Sequence, residues 1–343
     1  RNILISPFGG SFNEYVTDRR GTNTPLDYGN RQNVAIRGGV TRNLWRGVEL
    51  TLDGSFRQKQ TQFASFTPFN GFVPANLPST YNATELTTAS VTPRLNVDQT
   101  FDFARFRMVA GIDVYKTKYE SDRSAFLGAR PYHVYNLEQT TSAGYVQPTV
   151  TLWQNTDFSV GGRVQRNSLR ARDAFDPTAP IGPFGANPQG LPLDTAETRH
   201  ATHLGFEHRF NPYFAVFGRM AQSFRVPNVD ERVGQAAIFQ VTNFNLRTQR
   251  SHDIEGGFRI HAGPFDMQTS VYRMTLIDEL HFSPITFANV NLDPTLRRGV
   301  ETTVSYKLTD AFRLKGTVSN TRATFRSGPF AGKDVPEVAR WSE

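Results

Sequence analysis

Between Val48 and Arg57 apolar side chains fall on every second position: Val48, Leu50, Leu52 and Phe56 interleave with Glu49, Thr51, Asp53, Ser55 and Arg57. An extended chain turns successive side chains to opposite faces, so this period of two predicts a strand with one apolar and one polar face, not a helix. The same alternation recurs in Met108, Ala110, Ile112 and Val114 against Asp113 and Thr117. It returns in Phe158, Val160 and Val164 against Ser159, Arg163 and Gln165, and in Val300, Val304, Tyr306 and Leu308 against Glu301, Thr303, Ser305 and Lys307. Phe214, Val216, Gly218 and Met220 alternate with Ala215, Phe217, Arg219 and Ala221. That run reaches Pro227, which cannot donate to a sheet ladder, so the strand is predicted to end near Phe224.

Short and long connections alternate along the chain. Thr41 to Trp45, Gln99 to Phe103, Gln154 to Asp157, Asn211 to Tyr213, His261 to Phe265 and Leu308 to Phe312 are each tight enough for a hairpin of antiparallel strands. Longer segments rich in Pro, Gly, Asn and Asp separate them: Asp18 to Asn33, Phe63 to Thr87, Glu120 to Thr140, Ala171 to Arg199, Val226 to Asn245 and Leu276 to Arg297. Strands on both sides of six turns, with an opening strand over Ile3 to Tyr15, make about thirteen. Aromatics crowd the short turns: Trp45, Phe101, Phe103, Trp153, Phe158, Phe210, Tyr213, Phe214, Phe265 and Phe312. Short turns, long loops and an aromatic girdle are what a transmembrane β-barrel requires. A β-sandwich shares the alternation but not this asymmetry, and a propeller lacks the alternation of long with short connections.

Composition narrows this picture only slightly. The 343 residues include 27 glycines, 20 prolines, 28 phenylalanines and no cysteine, which excludes disulfides and thiolate metal sites. No run of 18 apolar residues occurs, so no helix is predicted to cross a membrane; barrel strands, which bury alternate residues, leave no such signal. The net charge of +7 is compatible with nucleic acid, anionic lipid or an anionic ligand and selects none of them. The chain opens on Arg1 rather than methionine, which is expected of a fragment or a processed piece.

Phe224, Arg225, Pro227, Asn228, Asp230 and Glu231 resemble the Phe-Arg-x-Pro-Asn-x-x-Glu strand-to-loop signature of TonB-dependent outer-membrane receptors. Asn245, Leu246, Arg250, Ser251, Glu255 and Gly257 are similar to that family's return strand, and Phe265 to Leu280 is similar to its next hairpin arm. Arg298, Gly299 and Glu301 match the Arg-Gly-x-Glu strand start, and Val335-Pro336 its late Val-Pro. The resemblance implies an all-β fold: a large antiparallel transmembrane β-barrel, with about 13–14 of about 22 strands in this chain. Residues 1–343 are then a partial barrel, with the family's plug, TonB-contacting box and final strands lying outside the chain. It implies a bacterial outer-membrane location, outer-membrane lipid as surroundings, and a TonB energy-coupling protein as partner through the plug. It also implies import of a scarce, bulky nutrient, most often a ferric siderophore, with vitamin B12, haem or an oligosaccharide as alternatives. For Arg225 and Glu231 it implies a role in fixing the strand-to-loop corner.

The remaining chemistry points the same way. His200 and His208 would face one way on a strand and His203 the other, so no metal site is expected. Asp230-Glu231 and Asp278-Glu279 are adjacent and diverge in extended chain; no nucleophile elbow or phosphate-binding loop occurs. No enzyme, cofactor or nucleic-acid partner is expected. Ligand-contact candidates are the loop aromatics Phe66, Phe69, Phe72 and Tyr81, with Tyr132 and His133; Phe63, Phe175, Phe184, Asn187, Phe239 and Phe244 are further loop residues of this kind. Arg57, Arg163, Arg219 and Arg225 are expected to face the lumen, favouring an anion unless paired with acids or plug residues. Two readings from other classes are an unplugged pore or adhesin and a secreted carbohydrate-binding β-sandwich.

Overall fold

Every one of the six short connections closes a hairpin. The computed structural model describes residues 26–66, 77–182, 186, 188–233, 244–283 and 288–342. The long strands are β1 (Tyr28–Trp45), β2 (Val48–Phe66), β3 (Pro78–Thr100), β4 (Ala104–Ser124), β5 (His133–Leu152), β6 (Thr156–Phe175) and β7 (Leu193–Asn211). They continue as β8 (Phe214–Arg225), a short helix α1 (Val229–Val233), β9 (Gln249–Ala262) and β10 (Phe265–Ile277). A small hairpin, β11 (Glu279–Ser283) with β12 (Ala288–Leu292), precedes β13 (Thr295–Lys307), β14 (Arg313–Phe325) and β15 (Trp341–Ser342). Thirteen strands form one antiparallel sheet in chain order, except that β10 pairs β13 and the β11–β12 hairpin stands apart. The sheet ends at β1 and β15, which do not pair with each other.

The first turn and the ends of the long loops differ from the sequence reading. The first turn is Arg46-Gly47, because Trp45 still pairs with Val48, and Gly47 takes φ of 73°, a left-handed conformation that favours glycine. The long loops are shorter than composition suggests: β2 runs to Phe66, β3 begins at Pro78, and β4 and β5 reach Ser124 and His133. A spanning strand needs about 9–11 residues, whereas β3 has 23 and β4 has 21. The extra length is polar, with Gln58 and Gln60 both donating to Glu85, since the backbone ladder holds strands together where no apolar face is needed. The expected opening strand at Ile3 to Tyr15 lies outside the described residues, and the count reaches thirteen through β15 instead.

Register carries the alternation around the sheet. Directly opposed residues share a face, so Val160, Leu204, Met220 and Ile254, paired in turn across β6 to β9, form one apolar row. Each is exposed by half or more: 52%, 56%, 57% and 50%. Among the described residues no second layer covers them. The aromatics at the short turns, Trp45, Phe101, Phe103, Trp153, Phe210, Tyr213 and Phe312, are likewise exposed. The opposite face is polar and hollow.

Candidate functional site

On the hollow face the intervening residues form a ladder of alternating charge. Arg209 Nη1 donates to Asp157 at 2.8 Å and to Glu207 at 2.9 Å, and Arg259 pairs with the other oxygen of Glu207. Arg107 approaches Asp157 at 3.9 Å, Arg163 pairs with Asp113 at 2.5 Å, and Arg219 lies 3.1 Å from Asp253 and 3.4 Å from Glu255. Five guanidiniums thus meet five carboxylates. Of the arginines expected to face the lumen, Arg163 and Arg219 pair with acids, which leaves neither bare to favour an anion, and Arg57 donates to the amide oxygen of Asn33 at 2.8 Å. A hollow of about 620 Å³ opens over this wall, lined by Tyr145, Arg163, His203, Glu207, Arg219 and Arg259. His203 lies flat over Gly161, where an added Cβ would meet its ring at 2.2 Å, while His208 turns away to the Thr156 hydroxyl at 2.8 Å.

The strand-to-loop motif builds the corner above this hollow. Asn228 precedes α1 and Glu231 is its third residue; the Glu231 carboxylate accepts the Asn228 N–H at 2.8 Å, one arm of a capping box. The second carboxylate oxygen takes the guanidinium of Arg225, the last residue of β8. One glutamate therefore ties strand end, helix start and turn together. Pro227 is fully buried beneath the corner, and Phe224 is half-buried beside it.

What the helix does was not read from the sequence. Val229 and Val233, one turn apart, are buried against Tyr119, Tyr135, Leu137, Leu169, Ala171 and Phe244, with Leu86 and Leu193 at the margin. Leu86, Tyr119, Leu137, Ala171 and Leu193 are directly opposed across β3 to β7, a single apolar row on the inner face. The loop after β8 is thereby folded down onto the wall. Arg232 holds the far side of the loop, donating to the carbonyls of Phe244 and, at 3.0 Å, Leu246; burial pushes its guanidinium down to about 10, still charged at neutral pH. Asn289 on β12 donates to the Glu231 carbonyl at 2.8 Å and brings the small hairpin to the same corner.

The signal for this row was present. In β4 the apolar residues Ile112 and Val114 are even-numbered, then Tyr119 is odd; in β6, Val160 and Val164 give way to Leu169 and Ala171. A change of parity within one strand marks where the apolar side changes from the outer face to the inner.

The other candidates separate. In the second motif, Gly299 lies where a Cβ would meet Asn320 O and Tyr272 Oη, both at 2.6 Å; glycine lets the Tyr272 hydroxyl reach that of Thr321 at 2.7 Å. Glu301 shares the inner face with Gly299, whereas Arg298 points outward. His133 is 1% exposed, its Nδ1 3.0 Å from both oxygens of Asp173, with Tyr135 stacked on it and Phe175 and Tyr132 against its other sides. Gly190 N–H also donates to Asp173, at 2.7 Å. Tyr132 and His133, read from the sequence as ligand-contact candidates, are thus buried at the adjoining ends of β5 and β6. Tyr81 is also buried, and Phe66 is half-buried with its N–H on Asp27 at 2.6 Å. Phe69, Phe72, Phe184, Asn187 and Phe239 lie outside the described residues.

Substituting Glu231 by alanine removes the capping carboxylate and leaves Arg225 without its acid. Loss of a helix cap costs about 1 kcal/mol, and a five-residue helix has no other local support. Backbone amides of 229–233 are expected to exchange several-fold faster, while those of β8 stay protected; equal exchange in both proteins would show that the corner is held by packing alone.

The apolar outer face, balanced inner wall and loop folded onto it define a barrel wall, and comparison with known proteins agrees. A family model for the TonB dependent receptor-like β-barrel matches residues 2–342, so the chain belongs to that family, whose barrels sit in the outer membrane of Gram-negative bacteria. The chain is similar to the closed form of the ferric-catecholate import receptor Fiu of E. coli K12, at 12% identity and TM-score 0.71, covering 93% of this chain and 51% of that one. It is also similar to the unliganded ferric citrate transporter FecA, at 13% identity and TM-score 0.70, over 96% and 48% of the two chains. The ferric yersiniabactin uptake receptor FyuA of Yersinia pestis gives 13% and 0.66, over 94% and 47%. The chain spans about half the length of these structures. No curated protein sequence matches it.

Proposed function

We propose that this chain is the greater part of the barrel wall of an outer-membrane receptor that binds a ferric siderophore outside the cell and imports it to the periplasm. The observation that carries this reading is the docked corner: a loop tied by Arg225 and Glu231 and pressed by Val229 and Val233 onto the inner wall makes the mouth of the barrel a shaped vestibule. The charge-balanced wall below suits a polar plug, which needs partners that can be exchanged without leaving a bare charge. Glu301, on the inner face and without an ion pair among the described residues, is available to such a plug. The plug is also the route by which a TonB partner would act. The ferric ligands named for the three similar structures support iron over other cargoes.

The test is growth of a deletion strain supplied with one ferric siderophore at a time, with binding of the same chelates to the purified whole receptor. A growth defect on one chelate, with tight binding of that chelate, is expected. Normal growth on every iron source and no binding would overturn the siderophore assignment.

A further inference from the structure

Arg273, Arg298 and Arg322 stand directly opposite one another on β10, β13 and β14. Opposed side chains lie about 5 Å apart at Cβ, where like charges repel, so three guanidiniums in a row favour an anion between them. All three are exposed. They share the outer face with Ile254, directly opposite Arg273, and with Val271 and Val300, the opposed pair two residues nearer the short turns. Arg107, Arg163, Arg209, Arg219 and Arg259 on the inner wall each find a carboxylate, but these three form no ion pair or hydrogen bond among the described residues. Asp334, bridged to Thr324, pairs with none of them. The next opposed row, Thr275, Leu296 and Thr324, carries no charge, and Arg326 reaches back over it to the Thr275 hydroxyl at 3.4 Å.

Their height identifies the anion. Arg273 is eight positions beyond Phe265, the first residue after the Gly263-Pro264 turn. At about 3.3 Å per residue and a tilt of about 40°, that is about 20 Å above the turn-side girdle, at the far edge of an apolar band about 25 Å tall. Guanidinium heads on flexible stems at that depth reach the headgroups of the leaflet on the loop side. We infer that Arg273, Arg298 and Arg322 form a binding site for the phosphates of an outer-leaflet lipid headgroup, on the outside of the barrel and independent of the cargo it carries. Planar guanidiniums grip phosphate oxygens in pairs, and three in a line suit a headgroup bearing more than one phosphate.

The whole receptor, reconstituted in nanodiscs of zwitterionic lipid, is titrated with bis-phosphorylated lipid A, with the same lipid dephosphorylated, and with inorganic phosphate. Bound lipid is counted by native mass spectrometry. The phosphorylated lipid is expected to bind wild type at least about tenfold more tightly than the R273Q/R298Q/R322Q protein, with the triple lysine variant between them. Dephosphorylated lipid binds both equally weakly. Equal affinity of wild type for phosphorylated and dephosphorylated lipid overturns the inference, a comparison that stands even if the triple variant fails to assemble. Displacement of the lipid by an equal concentration of inorganic phosphate also overturns it, since the site would then take a free ion.

Discussion

An aspartate at Val233 detaches the loop after β8 from the barrel wall. Val229 and Val233 are 4% and 3% exposed, and the surface they cover is apolar: Tyr119, Leu137, Leu169 and Ala171. Burying one valine contributes about 1.5–3 kcal/mol, whereas a carboxylate taken from water without a partner costs several kcal/mol. The penalty exceeds what the helix gains by docking, so the helix leaves the wall and the corner is held only by polar contacts: the Glu231 clasp, Asn289 and Arg232. The strands are untouched. Limited proteolysis of the folded receptor should show cleavage within 226–248 at least about tenfold faster than in wild type, with the barrel core intact. Val233→Ile, which keeps the site apolar, should stay protected; cleavage of Val233→Asp at the wild-type rate would place the anchorage elsewhere.

The second large effect is on the outer face. Val160 sits four positions past the first residue of β6, near the middle of the apolar band, and is 52% exposed beside Leu204. Arginine there should cost about 2–4 kcal/mol of barrel stability in lipid. His203→Arg, one strand away but facing the hollow, meets water and acids and should cost far less. Urea unfolding of the whole receptor from lipid vesicles measures both. A loss of stability at position 203 as large as that at 160 would mean that the two faces do not differ in solvent.

Much of this was legible because a strand's period of two survives any loop. The alternation at Val48 to Arg57 and at Val300 to Leu308 gave the outer face, and the aromatics marked the turns, where amphipathic rings meet the lipid boundary. Strand ends were harder to read: Phe63 to Phe66 and Pro78 to Thr87 look like loop by composition, yet they lie in β2 and β3 because pairing continues beyond the lipid. The corner motif was visible as residues but not as a capping box, since α1 has only five residues and too few for a helical period to show. His133 was misread for another reason. It is the first residue of β5 and not a loop residue, and Asp173, forty positions on in the neighbouring strand β6, closes over it.

The central claim is that the apolar set faces hydrocarbon and the polar set faces an aqueous interior. This stretch contains no cysteine, so single cysteines can be placed at Val160, Met220, Val300 and Val318 on one face and at Gln165, Ala221, Thr303 and Thr317 on the other, each carrying a nitroxide. With the whole receptor in a bilayer, dissolved oxygen should broaden the first four spectra and a water-soluble nickel chelate the second four, alternating with the strand period. First-set labels shielded from both reagents would mean a second protein layer lies over that face, and the barrel reading would be wrong.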